Sequence, residues 1–200
     1  MKIAILGTRG IPNFYGGFEQ FAQYLSEEFV RKGHEVYVYN SSTHPYQEKI
    51  WNGVNIIHCK DPEGRIGTAG QFIYDLNCIL DSRKRDFDII LQLGYTSSSV
   101  WNWLFPRKSV IITNMDGLEW KRSKYSKSVQ KFLLYAERLA VKYSDYLISD
   151  SVGIQTYLRN KYSVDSEYIP YGADLILDVD DSILKEQNLT SDSYNMLIAR

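Results

Sequence analysis

The sequence predicts an α/β fold in which helices cover both faces of a doubly wound, mostly parallel β-sheet. Short apolar runs alternate with amphipathic helical patterns along most of the chain. Two of these runs, Ile89–Leu91 and Val110–Ile112, are apolar at every position. A strand covered by helices on both sides has this pattern, whereas a strand with one face in water alternates polar and apolar residues. Alternating strands and helices are typical of a parallel sheet.

The predicted strands are short apolar or β-branched runs bounded by turn residues: Lys2–Leu6, Glu35–Tyr39, Val54–His58, Asp88–Leu93, Ser109–Thr113 and Asp145–Ser149. The predicted helices show apolar residues at helical spacing, and they are Phe18–Lys32, Thr68–Arg85, Ser97–Phe105, Lys124–Tyr143 and Ser151–Lys161. Gly33 stands where a glycine commonly ends a helix, directly before the second strand.

Composition narrows the function classes. The chain has 200 residues, 44% of them hydrophobic, and a formal net charge of −1, which argues against a dedicated nucleic-acid binder. No apolar run approaches the ~20 residues of a membrane-spanning helix. Two cysteines, Cys59 and Cys78, predict free thiols in a reducing cytoplasm. The three histidines have no metal-ligand spacing, so we expect no metal site.

The first loop is rich in glycine. Gly7 ends the first strand, Gly10 follows in the loop, and Gly16-Gly17 precede a helix. A strand, a glycine loop and a helix together bring backbone N–H groups to an anionic or polar ligand. The alternative is a plain turn that needs positive φ angles. Three separated glycine positions favour a ligand.

Two common phosphate loops do not match. A Walker A loop closes with Gly-Lys-Ser/Thr, and the chain has no such triplet. A dinucleotide-binding loop needs an acidic residue after the second strand, where this chain has Asn40-Ser41-Ser42. A nicotinamide-dependent dehydrogenase is therefore disfavoured and stays open only as an alternative.

Ligands of such sheets bind beyond the carboxyl ends of the strands. Small and polar residues follow several of these ends, and Ser97 and Ser151 there suit helix capping. Capping does not explain Asp116–Arg122, where two acids, two bases and an indole share one loop. We therefore expect Gly16 and Asp116 to line one crevice.

Four motifs resemble the amino-terminal domain of bacterial GT-B glycosyltransferases of the rhamnosyltransferase type, in glycosyltransferase family 4. These motifs are Gly7–Glu19, Asn114–Arg122, Ser149–Ser151 and Tyr168–Asp174. The resemblance implies a retaining, metal-independent enzyme that uses a nucleotide sugar as substrate and no cofactor. In that family this half binds the acceptor, a second Rossmann-like half binds the donor, and transfer occurs between them. A non-catalytic sugar- or nucleotide-binding module is the alternative.

The resemblance also implies a domain division. Residues 1–170 are expected to form the acceptor-side domain, and residues 171–200 the connector and the start of a second domain. Tyr194–Arg200 has the pattern of that domain's first strand. The alternative is a single domain whose tail packs on itself.

The resemblance assigns donor-side roles to the first loop. Backbone N–H groups of Gly16 and Gly17, with the dipole of the following helix, are expected to face the donor diphosphate. Arg9 would add a charge-assisted contact, and a solvent-facing cation is the alternative.

Asp116 is the candidate catalytic residue, expected beside the transferred sugar or the acceptor hydroxyl in a positioning role. An acid bonded to its own turn is the alternative. Glu119 and Arg122 are candidate substrate-binding residues, although Glu119 could instead pair with Lys121 or Arg122. Asp150 is interpreted as a helix cap.

Lys121–Lys131 contains five basic residues and no acids, and apolar surface is supplied within and beside it by Trp120, Tyr125, Phe132 and Leu133. Such segments contact anionic membranes, and acceptors of the family are commonly lipid-linked saccharides at the inner membrane face. A cytoplasmic protein with peripheral membrane contact would fit, and an ordinary solvated helix face is the alternative.

Overall fold

The computed structural model describes residues 1–173, 175, 182–190 and 193–197. Its described residues contain one sheet of eight strands in the order β3-β4-β2-β1-β5-β6-β7-β8. The strands are β1 (Lys2–Leu6), β2 (Glu35–Ser41), β3 (Ile50–Trp51), β4 (Val54–Cys59), β5 (Ile89–Leu93), β6 (Val110–Asn114), β7 (Tyr146–Ser149) and β8 (Glu167–Tyr168). All neighbours pair in parallel except β3 and β4. The predicted doubly wound, mostly parallel sheet is confirmed.

Six α-helices occur in the described chain: α1 (Gly17–Arg31), α2 (Glu63–Ile66), α3 (Ala69–Ser82), α4 (Lys127–Tyr143), α5 (Val152–Tyr162) and α6 (Ser182–Glu186). Two short 3₁₀ helices span Ser99–Leu104 and Glu119–Lys121.

The structure corrects several of the predicted elements. The predicted helix Ser97–Phe105 is a six-residue 3₁₀ segment, because so short a stretch with valine and two tryptophans gains little from α-helix formation. Helix α4 begins three residues later than predicted, since the Ser126 hydroxyl caps it by accepting a hydrogen bond from Val129 N–H. Strands β3 and β8 were not predicted, because two residues show no periodicity.

The core lies on both faces of the sheet. Ile5, Val38 and Leu91 pack on the α1 side with Phe21 and Leu25. The alternate strand positions point to the other face, where α3 covers them with Tyr74, Cys78 and Ile79. This double covering explains the apolar strands. Cys59 and Cys78 are free thiols, as predicted, and both are buried.

The strand order determines where a crevice opens at the edge of the sheet. The chain runs outwards from β1 through β2 to β4, then returns to the other side of β1 with β5. The connections after β1 and β5 therefore leave towards opposite faces, and a crevice opens between them at the carboxyl ends of the strands.

The described carboxyl-terminal residues do not test the predicted division into two domains. Residues 194–197 of the predicted strand Tyr194–Arg200 are in no strand, and residues 198–200 lie outside the described residues. Asp174 of the fourth motif also lies outside them. The division at residue 170 stays a prediction. No helix in the described ranges has the length and apolar character needed to cross a bilayer.

Candidate functional site

A cleft of about 480 Å³ opens at the carboxyl edge of the sheet, where the order of the strands reverses. Residues from the loops after β1, β4 and β6 and from helices α1 and α3 line it. All six residues predicted for the site are among them: Arg9, Gly16, Gly17, Asp116, Glu119 and Arg122. Gly16 and Asp116 therefore share one cleft, as the sequence predicts.

The glycines of the first loop have different roles. Gly7 has a φ of +84°, and a Cβ there would lie 2.1 Å from the carbonyl oxygen of Leu93. Gly10 has a φ of +129°, and its Cβ would lie 2.4 Å from the Asn40 side chain. Strand pairing and loop packing require both glycines, so these two positions do not support the ligand interpretation.

Gly16 and Gly17 begin α1 and are open to the cleft. Gly16 is the N-cap residue in extended conformation, and no side chain caps this helix end. A Cβ on Gly17 would meet no atom within 4 Å. The first N–H groups of a helix lack partners within it and carry partial positive charge. This end of the cleft can therefore bind an anion.

Glu19, in the first turn of α1, closes the loop onto the helix. Its Oε1 accepts hydrogen bonds from the Thr8 hydroxyl at 3.1 Å and from Arg9 N–H at 2.8 Å. The side chain is buried. A carboxylate at a helix N-terminus is stabilised by the helix dipole, which helps to fix the loop.

Arg9 is paired rather than free, and its side chain is 35% exposed. Its Nη2 lies 2.8 Å from both carboxylate oxygens of Glu63, and its guanidinium carbon lies 4.0 Å from the ring centroid of Tyr15. The ion pair neutralises much of its charge.

Asp116 follows β6 and is half-buried. It makes no hydrogen bond or ion pair with the described residues, so the alternative of a carboxylate bonded to its own turn is wrong. Its negative charge acts on its neighbours. Burial, with the charges of Asp116 and Asp150, raises the pKa of Tyr171 to about 12.

Asp150 does not cap the next helix. Ser151 does so, because its hydroxyl accepts a hydrogen bond from Ile154 N–H. Asp150 Oδ1 is buried without a partner in the described chain. Burial, and then the charge of Asp116, raises the pKa of Asp150.

The loop from Asp116 to Arg122 is anchored through Trp120. Glu119 pairs with Arg122 at 2.9 Å, one of the two pairings anticipated for it. The Trp120 indole N–H donates to Oε2 of Glu137 on α4 at 3.0 Å. Glu137 is 1% exposed and also accepts from Tyr157, Tyr162 and Lys161. We call these five side chains the Glu137 cage.

Helix α3 contributes a polar face to the cleft. Gln71, Tyr74 and Asp75 line it together, because residues three and four apart lie on one side of a helix. The Tyr74 hydroxyl donates to the carbonyls of Thr8 and Tyr39, both at 3.0 Å. This bond holds the first loop from the other side.

Ser97, predicted as a helix cap, instead donates from its hydroxyl to Oδ2 of Asp75 at 2.5 Å. Asp75 is 4% exposed. Burial raises the pKa of Asp75 to about 7, the Ser97 hydrogen bond partly opposes that rise, and the charge of Asp61 adds to it.

Comparison with known proteins assigns a family. Residues 1–174 match the sequence family described as "Domain of unknown function (DUF1972)". The chain belongs to this family. No curated protein matches it.

Solved structures share the fold of this DUF1972 domain. Sucrose-phosphate synthase from Thermosynechococcus elongatus superposes with a TM-score of 0.73 at 19% identity, over 96% of this chain and 53% of that one. The DUF1972 chain thus spans about half of that synthase chain. A second structure of the synthase gives a TM-score of 0.58 at 13% identity, over 94% of this chain and 96% of that one. The predicted Rossmann-like half of a GT-B fold is confirmed.

The DUF1972 cleft contains residues that the motifs did not indicate, namely Asp61, Glu63, Gln71, Tyr74 and Asp75. Asp61 and Glu63 follow β4 at the same edge as the predicted residues, so the carboxyl-end rule could have found them. Asp75 interrupts the apolar stripe of α3 between Tyr74 and Cys78. A carboxylate in such a stripe is the signal that was missed.

The charge of the cleft favours a neutral ligand over most of its surface. Six carboxyl groups and two guanidinium groups line the DUF1972 cleft. Each guanidinium already pairs with one of the carboxylates. A phosphate would meet net negative charge everywhere except at the Gly16–Gly17 end. Within the described ranges, no group of three or more His, Cys, Asp or Glu side chains is arranged to hold a metal ion.

Proposed function

We propose that this chain is the acceptor-side domain of a retaining glycosyltransferase. The enzyme moves a sugar, with rhamnose as the first candidate, from a nucleotide sugar to a saccharide or lipid-linked acceptor in cell-surface polysaccharide synthesis. One observation carries the proposal: six residues taken from separate motifs line a single cleft at the point where the strand order reverses. The fold shared with sucrose-phosphate synthase, a glycosyl-transferring enzyme, supports it.

The two ends of the cleft suit the two halves of the reaction. Sugar transfer separates a nucleoside diphosphate from a sugar that develops positive charge, and fixed dipoles stabilise such charges best. In the proposal the N–H groups of Gly16 and Gly17 face the diphosphate. Asp116, which has no partner among the described residues, positions the acceptor hydroxyl, and the Glu119–Arg122 pair borders the same space. In such an enzyme a second domain would hold the rest of the donor.

The test uses the product of the complete open reading frame that contains this chain. Release of nucleoside diphosphate is followed with thymidine-diphosphate rhamnose, UDP-glucose and UDP-galactose, each with lipid-linked saccharides extracted from the source membranes. We expect turnover with one donor. Gly17→Leu and Asp116→Ala should each lower kcat/KM by about a hundredfold, because each removes or blocks a group beside the developing charges.

Gly153→Leu is the matched control for Gly17→Leu. Gly153 also lies in the first turn of a helix, and the nearest atom to its Cβ position is the Ser151 hydroxyl at 3.9 Å. It lies outside the cleft, so its substitution should leave transfer unchanged. Binding of a nucleotide sugar without turnover would favour the alternative of a non-catalytic binding module. No binding and no turnover with any donor would contradict the proposal.

The same proposal includes peripheral contact with an anionic membrane through Lys121–Lys131. Lys121 lies over the ring of Trp120 at 5.4 Å, and Lys124 lies over that of Tyr125 at 4.9 Å. Basic side chains beside aromatic rings suit a lipid interface. Flotation with anionic vesicles should recover more protein than flotation with neutral vesicles. Equal recovery would remove the membrane from the proposal.

A further inference from the structure

The carboxylates of the cleft differ in how many of their bonds the protein already makes. Glu19 binds the first loop, and Glu63 binds Arg9. Asp61 accepts hydrogen bonds from the Ser41 hydroxyl at 2.7 Å and from Glu63 N–H at 2.9 Å. Glu119 binds Arg122. These four groups complete the architecture of the cleft and have little capacity left for a ligand.

Asp75 is different. Its Oδ2 is fixed by Ser97, but its Oδ1 accepts no hydrogen bond from the described residues. Asp75 Oδ1 is not one of the fully buried polar atoms that lack a hydrogen-bond partner in the described chain. Since it has no partner in the protein, it must have exposed surface, and that surface faces the cleft that Asp75 lines. Burying a carboxyl group with half of its bonds unmade costs free energy, and the raised pKa of Asp75 reflects that cost.

We propose that Asp75 is a binding residue whose Oδ1 accepts a hydrogen bond from a hydroxyl group of the saccharide acceptor. Ser97 is its positioning residue. This inference rests on the proposed function and adds to it a buried contact on α3, in the cleft that Asp116 also lines. The ligand class follows from the chemistry of the cleft: its net negative charge repels phosphates, whereas a neutral polyol supplies the hydroxyl donors that carboxylates bind.

The test measures binding to the chain itself. Saturation-transfer NMR is recorded with the methyl glycosides of rhamnose, glucose and galactose as probes, and with inorganic phosphate as competitor. We expect at least one glycoside to bind, and phosphate not to displace it. In Asp75→Asn the Ser97 hydroxyl keeps the amide oxygen, so an NH₂ group faces the cleft in place of an acceptor. Affinity should fall by about tenfold or more. Asp165→Asn, at an 86% exposed side chain, is the control and should bind as wild type does.

Stability separates a binding role from a structural one. Asp75→Asn should melt at or above the wild-type temperature at pH 8, because it removes a buried charge. A lower melting temperature, or failure to fold, would show that Asp75 supports the structure and would overturn the proposal. Unchanged glycoside affinity in Asp75→Asn would also overturn it, and so would the absence of glycoside binding to the wild-type chain. Transfer by the complete enzyme is measured separately, so the proposed function survives any of these results.

The positioning role of Ser97 is tested by the pH dependence of glycoside binding. Its hydrogen bond lowers the pKa of Asp75, so Ser97→Ala should shift the pH midpoint of glycoside binding upwards as well as weaken binding. Ser97→Thr keeps the hydroxyl and should restore the wild-type midpoint. A purely structural serine would leave that midpoint in place, and an unmoved midpoint would remove Ser97 from the proposal.

Discussion

Glu137 and Asp75 are both buried carboxyl groups on helices, and they differ in what their oxygens contact. Glu137 accepts hydrogen bonds from an indole, two phenols and an ammonium group. Asp75 accepts one hydrogen bond from Ser97. Both oxygens of Glu137 accept hydrogen bonds from protein donors, whereas Oδ1 of Asp75 accepts none and can bind a ligand. The comparison shows that burial alone does not identify a functional carboxylate. A buried carboxylate that binds a ligand differs from a structural one because one of its oxygens has no hydrogen-bond donor within the protein.

The largest effect should come from breaking the complete cage. Glu137→Ala removes the acceptor for four donors from two parts of the chain, the Trp120 loop and α5, and it should lower the free energy of unfolding by about 3–5 kcal/mol. Urea denaturation followed by tryptophan fluorescence measures this, since Trp120 belongs to the cage. Glu28→Ala, which removes an exposed partner of Arg31, should cost at most about 1 kcal/mol. Similar losses for the two variants would contradict a stabilising role for the cage.

Gly7 and Gly17 differ in a similar way, because packing requires the first glycine and leaves open space around the second. Gly7→Ala combines a φ of +84° with a Cβ 2.1 Å from a carbonyl oxygen, and we expect a loss of about 2–4 kcal/mol of stability. Gly17→Ala places its methyl group in open space and should change stability by less than about 1 kcal/mol. Thermal unfolding of both variants checks this. Greater damage from Gly17→Ala than from Gly7→Ala would contradict the open space around Gly17.

The last comparison concerns how stability changes with pH. Asp75 titrates near pH 4 in the unfolded chain and at about 7 in the folded protein. Between these values the folded protein holds a proton that the unfolded chain has lost. The free energy of unfolding should therefore fall as pH rises from about 4 to 7, by ~1.4 kcal/mol per pH unit, and then level off. Asp150, with a raised pKa, adds a contribution of the same sign.

Asp75→Asn should remove most of this slope, and denaturant titrations at several pH values measure it. Asp165→Asn serves again as the exposed control. A slope that is the same in Asp75→Asn and in the wild type would mean that the carboxyl group at residue 75 does not carry the proton.

The fold and one wall of the site could be predicted because they depend on local rules. Fully apolar strands imply a sheet covered on both sides, and the carboxyl ends of parallel strands meet at one edge. These rules bring Gly16 and Asp116 together although 100 positions separate them in the chain. The same rules gave the wrong partners for Ser97 and Asp150, because capping is only one of the bonds open to a polar side chain after a strand.

The other wall could not be predicted from local rules. Whether Asp75 faces a core or a cleft depends on how α3 lies over the sheet, and the sequence of α3 does not contain that information. The partners of Glu137 come from Trp120, Tyr157, Lys161 and Tyr162. Any one of these residues alone is consistent with an ordinary surface, and only the packing of α5 against α4 assembles them.

Glu19 has a consequence for the ligands that the first loop can accept. In dinucleotide-binding proteins the donors of the corresponding loop are vacant for pyrophosphate. Here the Arg9 N–H and the Thr8 hydroxyl already bind a carboxylate that belongs to the same helix. The loop thus carries its own tethered counter-anion, which a free nucleotide could replace only by competing against an intramolecular ligand. A dinucleotide would therefore bind this loop more weakly than it binds a loop whose donors are vacant.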